Sequence, residues 1–70
     1  MSLSATRSRL TALSRELAAR WSETRESWSD AKRDEFERVF LRPLLSAVDR
    51  ADTALEQLDQ LMTHARRDCE

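Results

Sequence analysis

The segment Trp28–Phe36, with the sequence WSDAKRDEF, decides how this chain folds. Apolar residues at helical spacing lead up to it from the N-terminus and away from it toward the C-terminus. Ser27, Ser29 and Asp30 are residue types that cap helix N-termini. Acidic residues crowd the turns that follow, which suits the positive end of a helix macrodipole. The segment therefore predicts a break between two helices at residues 27–30.

Upstream of the break, one face of the chain has the period of an α-helix. Its members recur at spacings of three or four residues. They are Leu10, Leu13, Leu17, Trp21, Thr24 and Trp28. Ser2 or Ser4 can cap this helix, and Glu16 and Arg20 form a favourable pair one turn apart on the other face. We expect a helix from about residue 4.

Downstream, the spacing is that of a heptad seam. The seam consists of Leu44, Val48, Ala51, Leu55, Leu58, Met62, Ala65 and Cys69. Further apolar residues at 45, 47, 54 and 61 widen this stripe, and so indicate more than one packing partner, as in a helical bundle. The predicted outer face carries the acids Asp49, Asp52, Glu56 and Asp59.

Pro43 offers a second place for the break. Proline lacks a backbone N–H and its ring clashes with the carbonyl four residues back, which costs about 3 kcal/mol inside a helix. Leu41 and Arg42, however, offer no capping side chain for a new helix. Pro43 is therefore either the turn of the hairpin or a kink in a long helix. In both cases one helix overhangs the other with its apolar stripe uncovered, which indicates an interface.

The length and composition predict one small domain that spans residues 1–70. Gly is absent and Ala, Leu, Arg and Glu dominate, which favours helix. A chain of this length buries only about 60% of its unfolded surface, and it usually needs a disulfide, a metal ion or another chain to stabilise its fold. Cys69 is the only cysteine, and His64 the only histidine, so neither a disulfide within the chain nor a metal is expected. We therefore expect the chain to be stabilised by association with a second copy of itself or with a helical partner.

The charge is nearly balanced overall but uneven along the chain. Residues 1–20 hold four Arg against one Glu, a local charge of +3, and residues 43–70 hold three Arg against six acids, a local charge of −3. Opposite signs at the two ends favour antiparallel packing. The overall charge of −1 gives no general attraction to nucleic acid or an anionic membrane.

No apolar run reaches the roughly 20 residues that a membrane span needs, and the first residues lack the apolar region of a signal peptide. We expect a cytoplasmic protein, with export without a cleaved signal peptide as the open alternative. Enzyme motifs are absent from the sequence: it has no Gly-rich loop and no H-E-x-x-H or C-x-x-C spacing. His64 and Asp68 are expected to form a solvated pair near the C-terminus. We expect no catalytic residues, small-molecule substrate or cofactor.

Trp21 and Trp28 are seven residues apart and so lie on nearly the same side of a helix. Either both pack under the opposing helix beside Phe36 and Phe40, or one of them anchors a partner protein, a role in which Trp is enriched. The predicted interface residues are Trp21, Trp28, Phe36, Phe40, Leu44, Val48, Leu55, Leu58 and Met62. The predicted turn residues are Ser29, Asp30 and Pro43.

Trp28-Ser29-Asp30, with Phe36 eight residues after the Trp, resembles the signature of the WxG-motif helical-hairpin proteins of type VII secretion (the ESAT-6-like family). The resemblance implies two antiparallel helices joined at the Trp-x-Gly turn, pairing as dimers, and handling by an FtsK/SpoIIIE-type ATPase. Asp30 stands where the family has Gly. His64 stands where many members have the Tyr of a C-terminal export signal, and the chain is shorter than that family.

The sequence thus predicts an all-α antiparallel hairpin of two long helices that forms a dimer or a four-helix bundle. The predicted function is non-catalytic protein–protein interaction, associated with type VII secretion. The alternative is a small regulatory protein that acts on nucleic acid or on a toxin-like enzyme through its Arg-rich first helix.

Overall fold

The computed structural model describes residues 2–69, which are almost entirely helical. Helix α1 spans Leu3–Thr24 and is followed by a 3₁₀ turn, Arg25–Ser27. Helix α2 spans Asp30–Phe36, a π-helical stretch spans Glu37–Leu41, and helix α3 spans Arg42–Cys69. The last three follow one another without a gap, and we call them together the long helix. It returns alongside α1, so the predicted all-α antiparallel hairpin is confirmed.

The turn of the hairpin lies at Trp28 and Ser29. Trp28 (φ −97°, ψ 151°) and Ser29 (φ −67°, ψ 154°) are both extended. The Ser29 hydroxyl accepts a hydrogen bond from the backbone N–H of Lys32, and Asp30 begins the new helix as its first residue. Of the two predicted breaks, the one at 27–30 is therefore the turn. No described non-glycine residue has a positive φ, so this turn makes no demand for Gly.

Pro43 lies inside the long helix, in the first turn of α3, and is not a hairpin turn. Just before it, the backbone N–H of Arg42 bonds the carbonyl of Glu37, five residues back. Such π-helical turns are wider than α-helical ones. We attribute the wide turn to Pro43, whose ring would otherwise meet the carbonyl of Val39. The chain thus passes the proline without breaking the helix.

The contact face between the helices is narrower than the predicted stripes. Leu41 is the one buried residue among those described, at 9% exposure. The half-buried residues of α3 share its side of the helix and face α1. They are Leu45, Val48, Asp52, Leu55 and Asp59. Leu44, Leu58 and Met62, which belong to the predicted seam, lie on the exposed flank.

Two of the acids predicted for the outer face, Asp52 and Asp59, are half-buried and lie on the side of α3 that faces α1. Arg7 donates from Nε to Oδ1 of Asp52 at 2.9 Å. A second Arg7 nitrogen donates to Oδ2 at 3.3 Å, and Glu56 lies 3.5 Å from the same guanidinium. The pairing joins the basic first helix to the acidic second half of the chain. It also fixes the antiparallel register, with Arg7 level with Asp52.

The long helix outreaches α1 at its C-terminal end. Asp52 and Glu56 already pair with Arg7, which is near the start of α1, and all residues from 60 to 69 are exposed. We call residues 58–69 the tail. The molecule is accordingly long and thin, 59 × 18 × 11 Å. In the part of the chain that the structure describes, no helix combines the length and apolar character needed to cross a membrane.

Candidate partner-binding face

Three aromatic rings, those of Trp21, Trp28 and Phe36, pack together beside the turn, and a fourth, that of Phe40, touches Phe36. The rings of Trp21 and Trp28 meet edge to face with their centroids 4.9 Å apart. Phe36 lies 4.6 Å from Trp21 and 5.3 Å from Trp28, and Phe40 follows at 5.6 Å from Phe36. Pairs at these separations stabilise by about 0.5–1.5 kcal/mol beyond the area they bury. The cluster therefore ties the end of α1 to the start of the long helix.

Glu37 adds a polar link beneath the same cluster. Its Oε1 accepts a hydrogen bond from the indole N–H of Trp21 at 2.9 Å. The same oxygen lies 3.3 Å from Nε of Arg25. The Glu37 side chain is only 19% exposed, so its charge is largely removed from water and needs both partners. The arrangement satisfies the indole N–H that a packed Trp would otherwise leave unpaired.

Both indoles belong to the hairpin itself. Trp21 is half-buried, and Trp28 is 37% exposed although it contacts two rings. The interpretation in which they pack under the opposing helix therefore fits the contacts better than that of a free anchor. Phe40 was expected to join them, but it is 62% exposed and touches the cluster only at Phe36.

An exposed apolar surface runs along one side of the hairpin. We call it the apolar face. Two of its members are on α1, one is in the π-helical stretch, and four are on α3: Leu13, Leu17, Phe40, Leu44, Leu58, Leu61 and Met62. Their side chains are 40–67% exposed. On the long helix the small residues Ala47, Ala51 and Ala54, also exposed, lie between the large ones.

The apolar face contains a groove near the turn. A cavity of about 220 Å³ opens there between α1 and the long helix. Leu17 and Trp21 form one wall, and Phe40, Leu41 and Leu44 form the other. Its lining is almost entirely apolar, which is the usual character of a groove that receives an apolar side chain or helix face.

The structure separates the predicted interface residues into three groups. Trp21, Trp28 and Phe36 form the aromatic cluster, Val48 and Leu55 face α1, and Phe40, Leu44, Leu58 and Met62 lie on the apolar face. Sequence reasoning did not select Leu13, Leu17 and Leu61 as interface residues. Leu13 and Leu17 were placed on one face of the first helix together with Trp21 and Trp28, because spacing alone does not tell which side of a broad stripe the partner helix covers.

The polar residues near the C-terminus form no compact site. His64 Nε2 lies 4.0 Å from Asp68 Oδ2, both side chains being well exposed, and Cys69 is an exposed free thiol. Among residues 2–69, no three His, Cys, Asp or Glu side chains are grouped so that they could hold a metal ion.

No protein-family model, curated protein or solved structure matches the chain.

Proposed function

We propose that this chain is a non-catalytic helical hairpin that acts by binding a helical protein surface through its apolar face. The observation that carries the proposal is the exposure of seven large apolar side chains on one side of a chain that buries little else. Monomeric proteins rarely leave a contiguous apolar patch larger than a few hundred Å² uncovered. Association buries these side chains and so supplies most of the hydrophobic core that the hairpin lacks on its own.

We further propose that the protein belongs to a type VII secretion system as a WxG-like component. Two features support this part. Trp28 stands at the extended turn between two antiparallel helices, the place that the motif occupies in the family it resembles. Phe36, eight residues later, packs on Trp28 and so gives that spacing a structural role. Asp30 is compatible with the turn because Trp28 and Ser29, both extended, make the reversal without a left-handed residue.

The alternative, a nucleic-acid-binding or antitoxin-like regulator, draws less support from the contacts. It depends on the Arg-rich first helix, yet Arg7 is paired with Asp52 and Glu56, and Arg20 with Glu16. These guanidinium groups would have to leave carboxylates before they could contact phosphates.

The test places charges on the apolar face. The double variant L58E/L61E changes two exposed residues of the tail, so we expect the hairpin to keep its helicity in circular dichroism. We expect it to lose self-association in sedimentation equilibrium, export dependent on an FtsK-type ATPase, or both. Q60E is the control for an added charge: it places one glutamate in the same turn, two residues from Leu58 and Met62 and on the opposite side of the helix.

A double variant that remains helical and behaves as the wild type in both assays would contradict the proposal. Gene neighbourhood separates its two parts. An adjacent gene for an FtsK-type ATPase supports the secretion role, whereas an adjacent toxin-like gene supports the regulatory alternative.

A further inference from the structure

The groove at the turn end of the apolar face has the size of a small-molecule site. It opens between α1 and the long helix with a volume of about 220 Å³. This volume exceeds the cavity of about 150 Å³ that accepts a benzene ring, and it falls short of the roughly 300 Å³ of the smallest drug-sized sites. The groove therefore has room for one aromatic ring and a short chain.

Aromatic rings stand on both walls of the groove. Trp21 belongs to the wall that α1 forms, and Phe36 and Phe40 belong to the wall of the long helix. The ring centroid of Phe36 lies 4.6 Å from that of Trp21 and 5.6 Å from that of Phe40. Aromatic rings prefer offset or edge-to-face contacts with a further ring. An aryl group that entered the groove would find ring partners on either side.

The rim of the groove carries one charged side chain among the residues that line it, that of Arg20. This side chain is 75% exposed, and its Nε and Nη2 both donate to Oε1 of Glu16, at 3.2 and 2.8 Å. A guanidinium has five N–H donors, so Arg20 can hold a second carboxylate without releasing the first. The rim is thus suited to an anionic group.

The other polar groups of the lining are already engaged within the hairpin. The indole N–H of Trp21 donates to Glu37, so the Trp21 ring offers the groove only its apolar surface. The Thr24 hydroxyl donates to the carbonyl of Arg20 at 2.8 Å. The lining residues include no His, Cys, Asp or Glu. A molecule held in the groove is therefore a ligand and not a substrate.

We propose that the groove binds a small aryl carboxylate, with its ring against Trp21 and Phe40 and its carboxylate paired with Arg20. This goes beyond the proposed function, which concerns a protein partner along the whole apolar face. The ligand and such a partner compete, because both would cover Leu17, Phe40 and Leu44. An apolar side chain of a partner helix would fill the same space but would have no use for the charge of Arg20.

Phenylbutyrate is the probe, and phenylbutyramide is the neutral analogue of the same shape. Each is titrated into the isotope-labelled full chain, as the wild type and as L58E/L61E, in which the groove residues are unchanged. We expect saturable binding of phenylbutyrate with a Kd below about 1 mM. The indole N–H resonance of Trp21 should shift, and the backbone amide of Leu61 in the tail should not. The amide should bind about fivefold more weakly, the factor that an exposed ion pair can supply.

Two arginine variants separate the role of Arg20 from a general effect of charge. R20Q should lower the affinity for phenylbutyrate about fivefold and leave that for phenylbutyramide unchanged. R9Q is the matched control, because Arg9 is an exposed arginine of the same helix that does not line the groove. It removes the same charge, and it should bind both compounds as the wild type does.

Equal affinity of the wild type for the acid and the amide would overturn the proposal, and so would an R9Q chain that binds as weakly as R20Q. Either result would leave an apolar groove with no preference for anions. Absence of saturable binding in both chains would overturn it as well.

The L58E/L61E chain should bind phenylbutyrate at least as tightly as the wild type, because association covers the groove only in the wild type. Weaker binding by L58E/L61E, with shifts centred on Leu61, would place the ligand on the tail and contradict the proposal. The proposed function is decided separately by association and export, so either proposal can fail while the other stands.

Discussion

The indole N–H of Trp21 donates to Oε1 of Glu37 at 2.9 Å, and this bond joins the last turns of α1 to the π-helical stretch of the long helix. Around it, the rings of Trp28 and Phe36 pack against Trp21 and close the turn. The turn end of the hairpin is therefore the part that the chain stabilises by itself. The other end, where the tail extends beyond α1, has its apolar residues in solvent.

Glu37 provides the first prediction. E37Q keeps an acceptor for the Trp21 indole but loses the charge that faces Arg25, whereas E37A loses both. We expect E37A to lower the free energy of unfolding by about 1–3 kcal/mol, because the indole N–H loses its partner. E37Q should lose less than half of that. Urea denaturation followed by circular dichroism measures both variants, and equal losses for the two would show that the hydrogen bond from Trp21 contributes nothing.

Trp28 provides the second prediction. W28A removes two aromatic contacts from a residue that is 37% exposed, so we expect a loss of about 2 kcal/mol, below the 3–5 kcal/mol typical of a fully buried ring. W28F, which keeps a ring, should recover more than half of it. Helicity and association should fall together in a thermal melt paired with sedimentation. If W28A reduced association while stability stayed at the wild-type level, Trp28 would be a partner anchor instead.

Ser29 tests the cap of the long helix. Its hydroxyl accepts from the N–H of Lys32, so S29A should cost about 1 kcal/mol, while S29G should cost only a few tenths. A domain of this size shifts its melting temperature by about 4–8 °C per kcal/mol, which makes the difference measurable by calorimetry. Identical melting temperatures for S29A and the wild type would mean that the cap does not stabilise the turn.

The pair between Arg7 and Asp52 predicts a pH dependence. The hydrogen bond from Arg7 lowers the pKa of Asp52 below its ordinary value of 3.8 and raises the pKa of Arg7. A carboxyl whose pKa is lower in the folded state contributes stability above its unfolded pKa and loses it as the pH falls through the folded one. The stability advantage of the wild type over D52N should therefore be constant above pH 5 and should vanish in acid below the ordinary pKa.

Urea midpoints of the wild type and D52N between pH 2 and pH 7 measure that advantage. D49N is the matched control, because Asp49 is an exposed acid of the same helix and has no ion pair among the described residues. Parallel curves for the wild type and D52N throughout the range would rule out the pairing as a source of stability.

The helices and the turn were accessible from sequence because each depends on local signals. The periodicity of leucines predicts both helices, and the serines at 27 and 29 predict the break between them. The sequence predicted a break at Pro43 as readily as one at residues 27–30, since residue spacing does not show whether a π-helical turn accommodates the proline. The structure decides between them through Ser29, which caps a helix, whereas Arg42 and Leu41 have no side chain that could.

The side of each helix that meets its neighbour was less predictable. The apolar stripe of α3 is broad enough for two partners, and the heptad count assigned Leu44, Leu58 and Met62 to the same seam as Val48 and Leu55. The pairing of Asp52 with Arg7 shows which flank of α3 faces α1. Leu44, Leu58 and Met62 lie on the other, exposed flank. A charged residue inside a stripe is a weak signal in sequence and a strong constraint in three dimensions.

The most direct test of the account is the mass of the wild-type chain in solution. Sedimentation equilibrium at micromolar concentration and physiological salt should give a species of at least twice the chain mass of 8.2 kDa, which dissociates toward the monomer in L58E/L61E but not in Q60E. A wild-type chain that is fully helical and monomeric throughout that concentration range would contradict the claim that the apolar face mediates self-association.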